Sequence, residues 1–132
     1  MADYLHDHNR IRVSFIVPAY NEEVYLGGCI KALHSACTDA GVTDYEVIVC
    51  DNNSTDSTGE VARSNGARVV YEAHNQISVA RNRGAEVARG AFLVFVDADT
   101  RIPASLVQHT VDALESGDVC GVACRITGMR GV

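Results

Sequence analysis

Residues 91–100, AFLVFVDADT, hold the most apolar run in the chain, and that run stops abruptly at Asp97. A short continuous run of β-branched and aromatic residues predicts a central strand buried on both faces of a sheet. The segments before it repeat one pattern: strand-like run, polar junction, helical period. Residues 12–18 (RVSFIVP) form a first strand ended by Pro18. Leu26, Ile30, Leu33 and Cys37 then recur at helical spacing up to Gly41, with Asn21 as the expected cap and Glu22 and Glu23 at the positive end of the helix dipole. Residues 45–50 (YEVIVC) form a second strand, and the polar run 51–56 favours a turn. A second helix is predicted from Ser57, which with Glu60 makes a capping-box signature, and Asn65-Gly66 stops it.

Arg68 to Tyr71 reads as a third strand, and Ile77, Ala80, Gly84, Val87 and Ala88 mark a third helix. Gly84 costs that helix about 1 kcal/mol relative to alanine unless a close backbone approach requires it. Beyond Asp99, Pro103 suits the first turn of a fourth helix bearing Leu106, Val107, Thr110, Val111 and Leu114, with Gly117 at its exit. A fifth strand is expected at about 119–126. Strands alternating with helices predict an α/β fold with a mostly parallel sheet covered on both faces.

The chain has 132 residues, 47% of them hydrophobic, which suits one domain over 11–132 after a flexible tail over 1–10. That is small for a complete enzyme with two substrates. A net charge of −6 with scattered lysines and arginines excludes nucleic acid as a partner. An anionic ligand would need a metal ion or a few placed arginines. The five cysteines, Cys29, Cys37, Cys50, Cys120 and Cys124, are odd in number and lie mostly in apolar runs, which points to a reduced, cytosolic setting. No C-x-x-C pair supports zinc. The first ten residues, with His6, Asp7 and His8, are neither a signal peptide nor a membrane span. A P-loop lysine motif and G-x-G-x-x-G are both absent, which disfavours mononucleotide hydrolysis by that route and dinucleotide binding.

In an open parallel α/β sheet, ligands bind beyond the carboxyl ends of the strands. Three such junctions are polar: Pro18 to Glu22, Asp51-Asn52-Asn53 and Asp97-Ala98-Asp99. Singly, each has an ordinary explanation, with Asn21 as a cap, Asp51 and Asn52 in an Asx-turn and the acidic pair in a solvated loop. Together they would converge on one edge of the sheet. Asp97 and Asp99, following a strand without charge, supply hard oxygen ligands that suit Mg²⁺ or Mn²⁺. Such an ion can bridge the phosphates of a nucleotide and take up charge on a leaving diphosphate. A calcium loop starting at Asp51 fails, because Asp56 and Ala62 occupy the positions for its glycine and closing glutamate. Arg81 on the third helix could reach a phosphate. His74 and His109 read as ordinary polar positions.

The segments PAYNEE at 18–23, DNNSTDST at 51–58, SVARNRGAEVARG at 78–90 and FVDADT at 95–100 resemble family 2 glycosyltransferases, in order and over about residues 11 to 126. The resemblance implies a three-layer α/β/α, Rossmann-like fold of glycosyltransferase A type, a nucleotide-diphosphate sugar donor and a divalent Mg²⁺ or Mn²⁺. It implies that Pro18 and Tyr20 line the base pocket, that Glu22 contacts the nucleotide and that Arg81 lies near the diphosphate. Asp97 matches the carboxylate near ribose and metal, Ala98 the small spacer and Asp99 the main metal ligand. Where the family often has two aspartates this chain has Asp51-Asn52, and an asparagine can still hydrogen-bond a base edge.

Family members usually continue into a region that binds the acceptor and supplies the base. Both are expected beyond Val132, because Asp112, Glu115 and Asp118 fall on or just after the fourth helix. The expected activity is sugar transfer with inversion to an acceptor the sequence does not name. A non-catalytic nucleotide-sugar-binding module is one alternative. A sugar-phosphate nucleotidyltransferase is another, opposed by Pro18-Ala19-Tyr20 where a glycine-rich loop would stand. The setting expected is cytoplasmic, peripheral at the inner membrane face if the acceptor is a lipid, with homo-oligomerisation left open.

Overall fold

The computed structural model of the chain describes residues 10–117. Strands β1 (Val13–Ala19), β2 (Tyr45–Asp51), β3 (Arg68–Tyr71) and β4 (Phe92–Phe95) alternate with helices α1 (Leu26–Ala40), α2 (Thr58–Ser64), α3 (Ile77–Val87) and α4 (Ala104–Glu115). The strands form a sheet in the order β3-β2-β1-β4, and every pairing is parallel. The expected fifth strand, Cys120, Cys124, Asp118 and the first nine residues lie outside the described residues.

β1 is buried along its whole length, and the strand period of two divides its side chains between two helical layers. Val13, Phe15, Val17 and Ala19 join Val47 and Val49 of β2 in a core with Leu26, Cys29, Ile30 and Leu33 of α1 and Val107 and Val111 of α4. Ile16 points the other way, beneath α3. A Cβ built on Gly84 of α3 would stand 2.5 Å from Ile16 Cγ2, so the glycine is there to let helix and strand approach. The chain therefore has the three-layer α/β/α arrangement expected of it. Pro18 is tolerated in a central strand for a local reason. Ile16 C=O accepts from Val96 N–H at 2.9 Å, and Pro18 addresses the same side two residues on, beyond the last β1–β4 pair at Ile16 and Phe95.

Gly84→Ala should accordingly destabilise the protein by about 1–2 kcal/mol, because the fully buried, β-branched Ile16 cannot swing aside. At a solvated helix position the same change would stabilise by about 1 kcal/mol. Chemical denaturation of the two proteins checks the sign, and a stabilised variant would refute the close approach.

The exit of α3 is tied to the opposite end of the sheet. Ser14 Oγ donates to Glu46 at 2.6 Å and accepts from Gly90 N–H at 2.8 Å, and Glu46 also accepts from Arg89 N–H and Arg68. Burial raises the Glu46 carboxyl, but these donors outweigh it and hold the group below its ordinary value.

Three local expectations are corrected. Asn21 does not cap α1, which begins at Leu26 with Tyr25 in the cap position; Asn21 is left-handed at φ 50° and its side chain binds another loop. Ser57 holds the cap position of α2 but makes no side-chain cap bond, and no capping box forms with Glu60. Asp56 Oδ1 accepts from Thr58 N–H, at the first position of the helix, at 2.9 Å. β4 is not buried on both faces among the described residues: Leu93 and Phe95 are 40% and 46% exposed. The central places belong to β1 and β2, each with a partner on both sides, whereas β4 pairs with β1 alone among the described residues.

Candidate functional site

The carboxyl ends of the strands border a cleft of about 570 Å³, a volume within the range of small-molecule sites. Pro18, Ala19, Tyr20 and Glu22 line it from the end of β1, and Asn52 from the end of β2. Asn75, Gln76 and Ile77 line it from the β3–α3 connection, and Asp97, Ala98 and Asp99 from the end of β4. The three junctions singled out in the sequence thus meet in one place.

The acidic turn is rigid through its main chain. Thr100 N–H donates to Asp97 C=O at 3.0 Å, and Ala98 is buried, anchoring the turn while both flanking aspartates line the cleft. Arg81 Nη2 stands 3.8 Å from Asp97 Oδ1 with both side chains well exposed, so it is a loose pair beside the cleft rather than a lining residue. Gln76 and Ile77 are the cap and first residue of α3, and no side chain caps this helix. The positive end of its dipole therefore borders the cleft, which favours an anion there.

Tyr20 and Glu22 are held by a clamp between two loops. Asn21 N–H donates to Ser54 Oγ at 2.9 Å, and Asn21 Oδ1 accepts from Thr55 N–H at 2.8 Å. Glu22 N–H donates to Thr58 Oγ1 at 3.0 Å, and Glu23 N–H donates to Asp56 at 3.3 Å. Ser57 N–H returns a bond to Glu23 Oε2 at 3.0 Å. Much of the polar content of residues 20–23 and 51–58 is thereby spent on structure. Asp51 belongs to this group, since its Oδ1 accepts from Ser54 N–H at 3.0 Å and the residue does not line the cleft.

Asn52 does line the cleft, yet both amide hydrogens are used. Nδ2 donates to Glu72 C=O at 3.2 Å and to His74 C=O at 2.6 Å, while Oδ1 accepts from Gln76 N–H at 3.1 Å. Sequence reasoning missed Asn75, Gln76 and Ile77 as cleft residues. The strand-end rule, applied to β3 as it was to its neighbours, would have found them.

Cys29, Cys37 and Cys50 are buried free thiols. Burial, reinforced by the charges of Asp99 and Asp97, pushes Cys29 up to about 12, so it stays protonated and donates weakly to Asp97 C=O. Among the described residues no group of three or more His, Cys, Asp or Glu is placed to hold a metal. No helix among them is long and apolar enough to cross a membrane.

The family model described as Glycosyl transferase family 2 matches residues 14–131, taking in every element above but the first residue of β1, and every residue that lines the cleft. The chain belongs to this family. It is 32% identical over 117 residues to the Bacillus subtilis protein named Uncharacterized glycosyltransferase EpsJ, covering 85% of this chain and 33% of that one. It superposes on S. aureus TarS 1–349 in complex with UDP with a TM-score of 0.66 at 30% identity, covering 80% of this chain and 32% of TarS 1–349. It superposes on Mycobacterium tuberculosis glucosyl-3-phosphoglycerate synthase, in complex with Mn²⁺, UDP and glucosyl-3-phosphoglycerate, with a TM-score of 0.69 at 31% identity. That match covers 82% of this chain and 41% of the synthase. The chain spans about a third of the length of EpsJ. Its parallel sheet is that of the glycosyltransferase A fold.

Proposed function

We propose that the cleft binds a nucleotide-diphosphate sugar and serves metal-dependent transfer of the sugar, with inversion, to an acceptor. The observation that carries this reading is the composition of one cleft. Pro18, Tyr20 and Ile77 give it an apolar side suited to a base, whereas the Asp97–Asp99 turn gives it a side where a metal can hold a diphosphate. Arg81 stands within reach of the same turn.

The two carboxylates fit a divalent Mg²⁺ or Mn²⁺. They are hard oxygen donors, Asp99 the main ligand and Asp97 beside it, and a two-residue set leaves coordination positions for phosphate oxygens and water. When bound, such an ion neutralises the charge that collects on the diphosphate as the sugar bond breaks. Mn²⁺ with UDP in the mycobacterial synthase supports the choice. In the transfer itself an acceptor hydroxyl attacks the anomeric carbon, its proton passes to a base, and the bond electrons leave with the diphosphate. Asp112 and Glu115 on α4 do not line the cleft and are not assigned as that base. Glu22 faces the cleft from its clamped loop, where it can meet the nucleotide.

Calorimetric titration with UDP, GDP, CDP and ADP, each in Mn²⁺, Mg²⁺ or chelator, tests the reading. UDP or GDP is expected to bind, at least about tenfold more tightly with metal, a difference of about 1.4 kcal/mol. Equal affinity in chelator would overturn metal dependence. No binding by any of the four would overturn the donor site.

A further inference from the structure

Asn52 is 5% exposed and its amide is bonded on three sides to the main chain of residues 72–76. Its own N–H donates to Ala19 C=O at 2.8 Å, which fixes it to the end of β1 as well. The loop it grips carries Asn75, Gln76 and Ile77, the wall of the cleft contributed by the β3–α3 connection. Apart from Glu72 N–H, which donates to Asp51 C=O at 2.9 Å, its other contacts are internal: residues 73–77 are exposed, and the His74–Gln76 and His74–Glu72 bonds lie within it. Resting on the nucleotide-sugar reading, we propose that Asn52 is a positioning residue for the donor. It acts by pinning the Glu72–Gln76 loop as the wall facing the nucleoside, and not by reading the base itself.

The chemistry favours the tie over direct contact. Two carbonyl oxygens lie against Nδ2, so a base carbonyl would have to displace one of these bonds to reach the amide. An aspartate at this position would turn two donors into a carboxylate facing those same carbonyls. The loop would then be repelled where it is now held. The helix that follows is held separately, by the close approach of Gly84 to Ile16, so release of the loop leaves α3 and its anion-favouring end in place.

The test compares Asn52→Asp, Asn52→Ala and Gln76→Ala with the unaltered chain by amide hydrogen exchange and by titration with UDP, GDP and inorganic pyrophosphate, all in Mn²⁺. Gln76→Ala separates the tie from contacts inside the loop, since it removes the side-chain bond to His74 and keeps the main-chain bond to Asn52. In both Asn52 variants exchange over residues 72–77 is expected to speed up at least about tenfold, while β1 stays protected. The affinity of whichever nucleoside diphosphate binds is expected to fall about tenfold, and that of pyrophosphate, which lacks the nucleoside, to stay within about twofold. Gln76→Ala should leave loop exchange unchanged. Lost affinity with an unchanged loop would overturn the proposal in favour of direct contact by Asn52. A released loop with unchanged affinity would overturn the role of the wall. Loss of β1 protection in both Asn52 variants would show that Asn52 holds the whole fold instead. If the unaltered chain binds neither nucleotide, the donor reading falls and takes the binding half of this proposal with it, while loop exchange still decides whether Asn52 makes the tie.

Discussion

Replacement of Asp99 by alanine is expected to lower nucleoside-diphosphate affinity in Mn²⁺ by about 10²-fold while leaving the weaker affinity in chelator nearly unchanged. The size follows from the role proposed for the residue: in a cleft whose fixed cations are few, a divalent ion supplies several kcal/mol of attraction to phosphate. The fold should survive. The turn is closed through main-chain atoms of Asp97 and Thr100 and anchored by the buried Ala98, and Asp99 contributes no apolar surface to the core. Asp99→Asn, which keeps the shape and removes the charge, should fall between. Calorimetry with and without chelator, beside a thermal melt, reads both halves. An unfolded variant would make Asp99 structural, and an intact metal enhancement would move the main ligand elsewhere.

Tyr20→Ala should weaken nucleotide binding by about 1–3 kcal/mol, the scale of stacking a base on an aromatic face. The ring lines the cleft and is 50% exposed, so it has area to give to a ligand. Its backbone should not follow the side chain out of place, because Asn21, Glu22 and Glu23 are each bonded to the 54–58 loop. Tyr20→Phe retains the ring face and should cost much less. Equal losses in the two variants, measured by the same titration, would assign the effect to the hydroxyl.

The layers and the position of the site were readable because they rest on local chemistry. Continuous β-branched runs mark β1 and β2, Gly41 and Gly66 end helices in the left-handed region, and strand ends collect polar residues. What failed depended on partners remote in sequence. Asparagine favours both helix caps and the left-handed region, and the residue that decides for Asn21 is Thr55, on another loop. Asn52 and Asp51 sit side by side in one motif, yet one lines the cleft and the other turns into its own loop. The run 91–96 is apolar enough for a strand covered on both faces, and periodicity alone does not say which strand takes the centre. The sequence expects Arg81 near a diphosphate, and only the fold shows that it stands beside Asp97, to one side of the lining.

The central place of β1 also governs when the site can come into being. β1 finds β2 about thirty residues away along the chain and β4 about eighty, and contacts so distant form slowly because the intervening chain must first be confined. A nascent chain that has emerged as far as β3 already contains β1, β2 and both clamped loops, but not the acidic turn, which arrives beside Tyr20 only when β4 docks. A ligand that needs both therefore has nothing to bind in the earlier intermediates. By mass action it stabilises only the state in which β4 is docked beside β1.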